Sequence, residues 1–201
     1  VLADTETPLS VYLKLAKGKN SYFFESVQGG EKWGRYSIIG LPCRTILKVR
    51  DKKITIETDG NVKDEFVTDD PFAFLAEFKS RFRVAELSDE QRFSGGLVGY
   101  FSYDTVRFVE KKLGPADNKD EIDTPDILLM LSEELVVFDN LRGTISFVIN
   151  VDPHEVGSFE EAQLRLDKLQ DTLKTPVALP LINGDENLST QKFKHHFPKS
   201  E

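Results

Sequence analysis

Apolar residues along the chain recur in short runs of two different periods, and the breakers between the runs mark out the elements they predict. Leu9, Tyr12, Leu13 and Ala16 fall at helical spacing behind Thr7-Pro8, a capping residue followed by the residue best tolerated in a first helical turn, and Gly18 ends the run. Ser21-Tyr22-Phe23-Phe24-Glu25-Ser26 is aromatic and lies between Asn20 and Gly29-Gly30, which predicts a strand followed by a flexible connection. Arg35-Tyr36-Ser37-Ile38-Ile39 is predicted to lie beside it. From Thr45 to Val67 the period is two: Ile46 to Val49, a turn at Asp51-Lys52, Ile54 to Glu57, a turn at Asp59-Gly60-Asn61, then a weaker segment. That meander should bury one face and wet the other.

Asp70-Pro71 opens a second helix whose apolar stripe is Phe74, Leu75, Phe78 and Phe82. Gly95 to Phe101 sets three glycines among apolar residues, which predicts a buried strand approached closely by a neighbour. Asp104 or Thr105 then caps a helix bearing Val106, Val109 and Leu113, closed by Gly114-Pro115, and the acidic stretch Asp117 to Asp126 is expected as an exposed loop. Two strand segments follow, Ile127 to Phe138, long enough to hold a break, and Thr144 to Val151, joined across Asn140-Leu141-Arg142-Gly143. Ser158 with Glu161 reads as a capping box for a last helix lined by Ala162, Leu166, Leu169 and Leu173. After Thr175 the period is lost among Pro, Gly and Asn, so residues 1–175 form the expected domain and 176–201 a linker or torn end. Meanders with interspersed helices make the fold class α+β, mainly antiparallel sheets with helices packed on the outside.

Composition narrows the functions available. In 201 residues, 39% hydrophobic with 15 Phe and 30% charged, there is material for one substantial core or two small ones. The balance of 26 basic against 34 acidic residues gives a net charge of -8 without a long Lys/Arg run, which argues against nucleic acid as a partner. No apolar run approaches the roughly 20 residues that span a bilayer, and the first residues lack a signal pattern, so a cytoplasmic protein away from membranes is expected. Cys43 stands alone, excluding an internal disulfide and a cysteine zinc cluster. His154, His195 and His196 form no ligand spacing, so no metal site is expected. Gly95 to Gly99 lacks the dinucleotide-loop spacing, and Glu133-Glu134, adjacent on a strand, should point opposite ways rather than act as an acid–base pair. No catalytic residue is expected in this chain.

The segment from Phe23 to Ser37 has the richest chemistry: aromatic rings, a carboxylate, a hydroxyl, a glycine-rich turn, a Trp and an Arg. An α-amino acid needs an anionic partner for its ammonium, a cation or N–H groups for its carboxylate, and an apolar slot. Glu25, Arg35 or Ser26, and Phe23 or Phe24 offer these, while the plainer reading pairs Arg35 with Glu25 as structure.

TPLSVYLKL, YFFESVQGGEKWGRYSIIGLP and FSGGLVGYFSYDTVRFVE together resemble the amino-terminal region of anthranilate synthase component I, over roughly Val1 to Asp152. Where that family usually has Leu-Leu-Glu-Ser, this sequence has Phe23-Phe24-Glu25-Ser26. The resemblance implies half of a larger layered α/β sandwich whose carboxy-terminal catalytic domain, with its chorismate and magnesium residues, is absent from this chain. It implies a feedback site for L-tryptophan as inhibitor, at Phe24, Glu25, Ser26, Arg35, Tyr36 and Ser37. No cofactor is expected in this chain, magnesium being expected for the full-length enzyme. A glutamine amidotransferase subunit, component II, is the implied partner. Because adjacent strand residues face opposite ways, Glu25 and Ser26 can meet one ligand only where the strand ends or twists. The alternatives are aminodeoxychorismate synthase component I, whose amino-terminal architecture is the same, and a docking half-domain without a ligand.

Overall fold

The computed structural model describes residues 1–28, 32–84, 93–114 and 123–177. Among these residues nine strands form two antiparallel sheets. The first has the order β1(Tyr22–Gln28)-β2(Lys32–Gly40)-β8(Glu134–Asp139)-β9(Thr144–Ile149). In the second the order is β5(Asn61–Val67)-β4(Lys53–Thr58)-β3(Thr45–Arg50)-β7(Ile127–Ser132)-β6(Gly96–Phe101). The α+β expectation holds.

The break in the apolar run after Ile127 falls at Glu133, where the chain leaves the second sheet and enters the first. Four consecutive residues of β8, Leu135 to Phe138, are buried, because an inner strand covered on both faces has no wet side. The turn at Asp59-Gly60 has φ of 53° and 77°, the left-handed pair that a tight hairpin needs.

Helix α1(Pro8–Leu15) is capped reciprocally by Thr7 and Ser10, each side chain accepting from the other's backbone N–H. Its buried face is Val11, Leu15 and the following Ala16, whereas Leu9, expected inside, is 56% exposed. Helix α4(Ser158–Leu173) lies against α1 and β9, with Leu169 and Leu173 buried. These residues close one core with Ile39, Leu41, Val136, Phe138 and Ile145. Full burial of one such side chain is worth about 1.5–3 kcal/mol. The predicted capping box is replaced: Gly157, at φ 86°, is the N-cap, and the Ser158 hydroxyl donates instead to Asp152 O.

A second core lies under α2(Pro71–Ser80), which is capped by Asp70 accepting from Ala73 N–H and joins Leu75 and Phe78 to Leu47, Val49, Ile54, Ile56, Ile127 and Leu129. The helix stops before Phe82, which is 46% exposed and so not part of the expected stripe. A third cluster, Tyr22 with Ile46, Val98 and Met130, joins the two sheets.

Two expectations fail around β6. It is an edge strand with Tyr100 and Phe101 exposed, not a buried one, although Gly99 does admit a close approach, since a Cβ there would lie 1.9 Å from Leu128 O. The helix expected to carry Val106, Val109 and Leu113 is broken into a 3-10 turn (Tyr103–Thr105), α3(Val106–Val109) and a second 3-10 turn (Lys111–Leu113). Arg107 donates to Leu113 O and Gly114 O, curling the chain back, and all three apolar side chains are exposed. Gly29-Gly30, Asp117 to Ile122 of the acidic stretch, His195, His196 and all of the tail beyond residue 177 lie outside the described residues. No helix among the described residues is long and apolar enough to cross a membrane.

Candidate functional site

The β1–β2 hairpin is built from the aromatic run and its partner. Tyr22 to Glu25 pair in register with Gly40 back to Ser37; then the register shifts, and Val27 pairs with Trp33. Ser26 alone therefore stands opposite three residues of β2: Gly34, Arg35 and Tyr36. Such a bulge bends the strand and re-aims side chains, and it lies at the position where Glu25 and Ser26 needed a twist to serve one ligand. Phe24, 51% exposed, stacks at 5.0 Å against Tyr22. Tyr22 in turn is buried, with its hydroxyl 2.7 Å from Ser132 Oγ of the opposite sheet. Glu25 and Ser26 are exposed beside Phe24.

The bulged residues of β2 are fastened from behind. Arg35 grips Asp139 through Nε and Nη2 at 2.8–3.2 Å, and its guanidinium lies 4.9 Å from the Tyr36 ring centroid. Arg35 thus pairs with Asp139, not with Glu25. The Arg35 guanidinium, helped by the Leu141 and Arg142 N–H groups, holds the Asp139 carboxyl below the usual carboxylate range. Asn140 donates its side-chain N–H to Gly34 O (3.1 Å) and Ser37 Oγ (3.2 Å), and its backbone N–H to Arg35 O (2.8 Å). Ser37 is only 2% exposed and turned inward. Phe24, Glu25, Ser26 and Arg35 are exposed, Tyr36 is half-buried and Ser37 is buried.

Asp139 and Asn140 did not emerge from the sequence, because they lie more than 100 positions from the residues they hold. Their segment carried only a turn signal.

A concavity of about 710 Å³ opens where the chain changes sheets, lined among others by Cys43, Arg44, Glu133, Glu134 and Arg165. Glu133 and Glu134 both line this cleft, Glu133 sitting between strands rather than within one. Arg165 holds Glu134 in a two-pronged pair at 2.8–3.0 Å. Burial raises the Glu133 carboxyl against the opposing pull of Arg44, and burial pushes the Cys43 thiol up to about 11, keeping it protonated and unreactive at neutral pH. Among the described residues no group of three His, Cys, Asp or Glu side chains converges to hold a metal ion.

No protein-family model matches the chain. Curated relatives do: it is 54% identical over 176 residues to anthranilate synthase component 1 of Pseudomonas aeruginosa, covering 88% of this chain and 36% of the relative. The protein of the same name from Neisseria meningitidis serogroup B is 43% identical over 190 residues, 93% of this chain and 38% of the relative. Among solved structures, anthranilate synthase component I from Streptococcus pneumoniae matches with a TM-score of 0.56 at 25% identity, over 88% of this chain and 37% of that one. The chain spans little more than a third of the length of the proteins it matches.

Proposed function

We propose that this chain, which is homologous to part of anthranilate synthase component I, is the amino-terminal regulatory portion of such a protein and carries the binding surface for feedback inhibition by L-tryptophan. Residues 1–175 are its folded unit. The full-length protein converts chorismate and ammonia to anthranilate and pyruvate in tryptophan biosynthesis, with a glutamine amidotransferase as partner subunit. The name carried by the relatives supports this reading over the aminodeoxychorismate one.

The observation that carries the proposal is the bulge opposite Ser26 at a sheet edge, next to three consecutive exposed residues that supply an aromatic ring, a carboxylate and a hydroxyl. Glu25 receives the ammonium, Ser26 the carboxylate, and Phe24 lies against the indole. Arg35 remains with Asp139 and fixes the backbone these groups hang from. Inhibition follows if tryptophan binds more tightly to an arrangement of the full-length protein that turns chorismate over slowly.

The test is calorimetric titration of the full-length polypeptide with L-tryptophan, with L-phenylalanine as control. Loss of the ammonium partner in Glu25→Ala is expected to weaken tryptophan binding about tenfold or more. Wild-type affinity in that variant removes Glu25 from the site and, with it, this reading of the hairpin.

A further inference from the structure

We infer that Gly34, with Asn140 behind it, is the positioning pair that sets the affinity of the ligand surface, because together they fix where the Ser26 backbone stands. This rests on the reading of the hairpin as the tryptophan site. Gly34 is buried, and a Cβ built on it would lie 1.9 Å from Ser26 O, 2.3 Å from Ser26 C and 2.4 Å from Ser26 Cβ. These are backbone and first side-chain atoms, with no flexible end to swing aside. Nor can β2 retreat easily. The Gly34 carbonyl accepts from Asn140 Nδ2, the next carbonyl accepts from the Asn140 backbone, and the Arg35 side chain is gripped by Asp139. A methyl group at position 34 therefore pushes Ser26 outward by roughly 1.5 Å before ordinary contact is restored. That displacement exceeds the tolerance of a hydrogen bond and carries Ser26 and its neighbour Glu25 away from a ligand they hold together. The requirement for glycine here is spatial, since Gly34 does not lie in the left-handed region that glycine alone favours.

The test measures L-tryptophan affinity by calorimetry on the full-length polypeptide, with thermal unfolding of each variant alongside. Gly34→Ala is expected to weaken tryptophan at least tenfold. Ser26→Gly, which removes the crowded Cβ and frees the backbone, is expected to lose roughly fivefold through its missing hydroxyl. The double variant should bind more weakly than Ser26→Gly alone, because the Ser26 carbonyl still meets the new methyl group and Glu25 is still displaced. Its loss should be less than the product of the two single losses, because the missing hydroxyl cannot be lost twice. Independent, multiplying losses would mean that Gly34 acts only on general stability and would overturn the inference. So would wild-type affinity in Gly34→Ala while Glu25→Ala still loses tryptophan, an outcome that spares the site and removes only the positioning pair. If neither variant loses affinity, the hairpin is not the site and both statements fall. Asn140→Ala adds no atom beside Ser26 and serves if Gly34→Ala does not fold. It should weaken tryptophan about fivefold, and an unchanged affinity there also overturns the inference.

Discussion

Among the described residues two strand pairs carry a bulge at a sheet edge, and their surroundings differ. In the β1–β2 hairpin the additional residues belong to the inner strand, with Gly34, Arg35 and Tyr36 standing against Ser26. In the β4–β5 pair the shift after Ile56 leaves Lys63 as the additional residue on the outermost strand, and all seven residues of β5 are exposed. An inner-strand bulge has a neighbour behind it that can lock its shape, whereas an outer one is free to relax into solvent. The first bulge is fastened by Asp139 and Asn140, whereas the contacts of β5 are an exposed Lys53–Glu65 pair and the Phe66 ring against Phe74. A bulge keeps its shape when the protein fixes it from the far side.

The largest effect expected from this difference lies beneath the fastened hairpin. Phe138 pairs with Ser37 across β2 and β8, is 2% exposed and packs into the α1–α4 core. Phe138→Ala should cost about 3–5 kcal/mol in urea unfolding, because the cavity it leaves cannot collapse between two sheet neighbours and two helices. A loss below about 1 kcal/mol would show that the support is not rigid, and the contrast with β5 would fail. Next in size is Asn140→Ala, which strips Ser37 Oγ and Gly34 O of a donor in a half-buried setting. It should cost about 1–3 kcal/mol. On the other bulge, Lys63→Ala is expected to change stability by no more than about 0.5 kcal/mol, as for most surface substitutions. Comparable losses at Asn140 and Lys63 would erase the distinction between the two bulges.

Much of the fold could be read from local pattern, and what escaped shares one physical origin. The meander from Thr45 to Val67, the Thr7 and Asp70 caps and the hairpin across Asn140 to Gly143 are each decided by a few adjacent residues. The exposure of β6 and the jump between sheets at Glu133 depend on which strands lie next to which, a relation that period and composition do not encode. Val11 rather than Leu9 faces inward because the approach of α4 selects the buried stripe among several apolar positions. At Ser158 a glycine one position earlier took the cap, since its left-handed backbone turns the chain into the helix. The candidate site divides the same way. Phe24, Glu25 and Ser26 stood out as an aromatic and polar run, but the bulge and its fasteners arise from residues far apart in sequence.

The smallest predicted effect separates the two regions by their ion pairs. Asp139, whose side chain is 12% exposed, is held by Arg35 and by two backbone N–H groups; Asp59 meets Arg44 with side chains 52% and 70% exposed. Both carboxyls lie below their ordinary range because the deprotonated form is the one the guanidinium holds. A group with a lowered folded pKa contributes stability above its unfolded pKa and loses it as pH falls through the folded one. Asp139→Asn should therefore be less stable than the parent at neutral pH, with the gap closing as acid is added below the ordinary carboxylate range. Asp59→Asn should show the same sign with a smaller gap, and added salt should shrink it further, because solvent and counter-ions reach that pair directly. Unfolding of the three proteins along a pH series, at low and high salt, measures both gaps. If the Asp59 gap were the larger or resisted salt better, fastening from behind would not be what distinguishes the β1–β2 edge from the β5 edge.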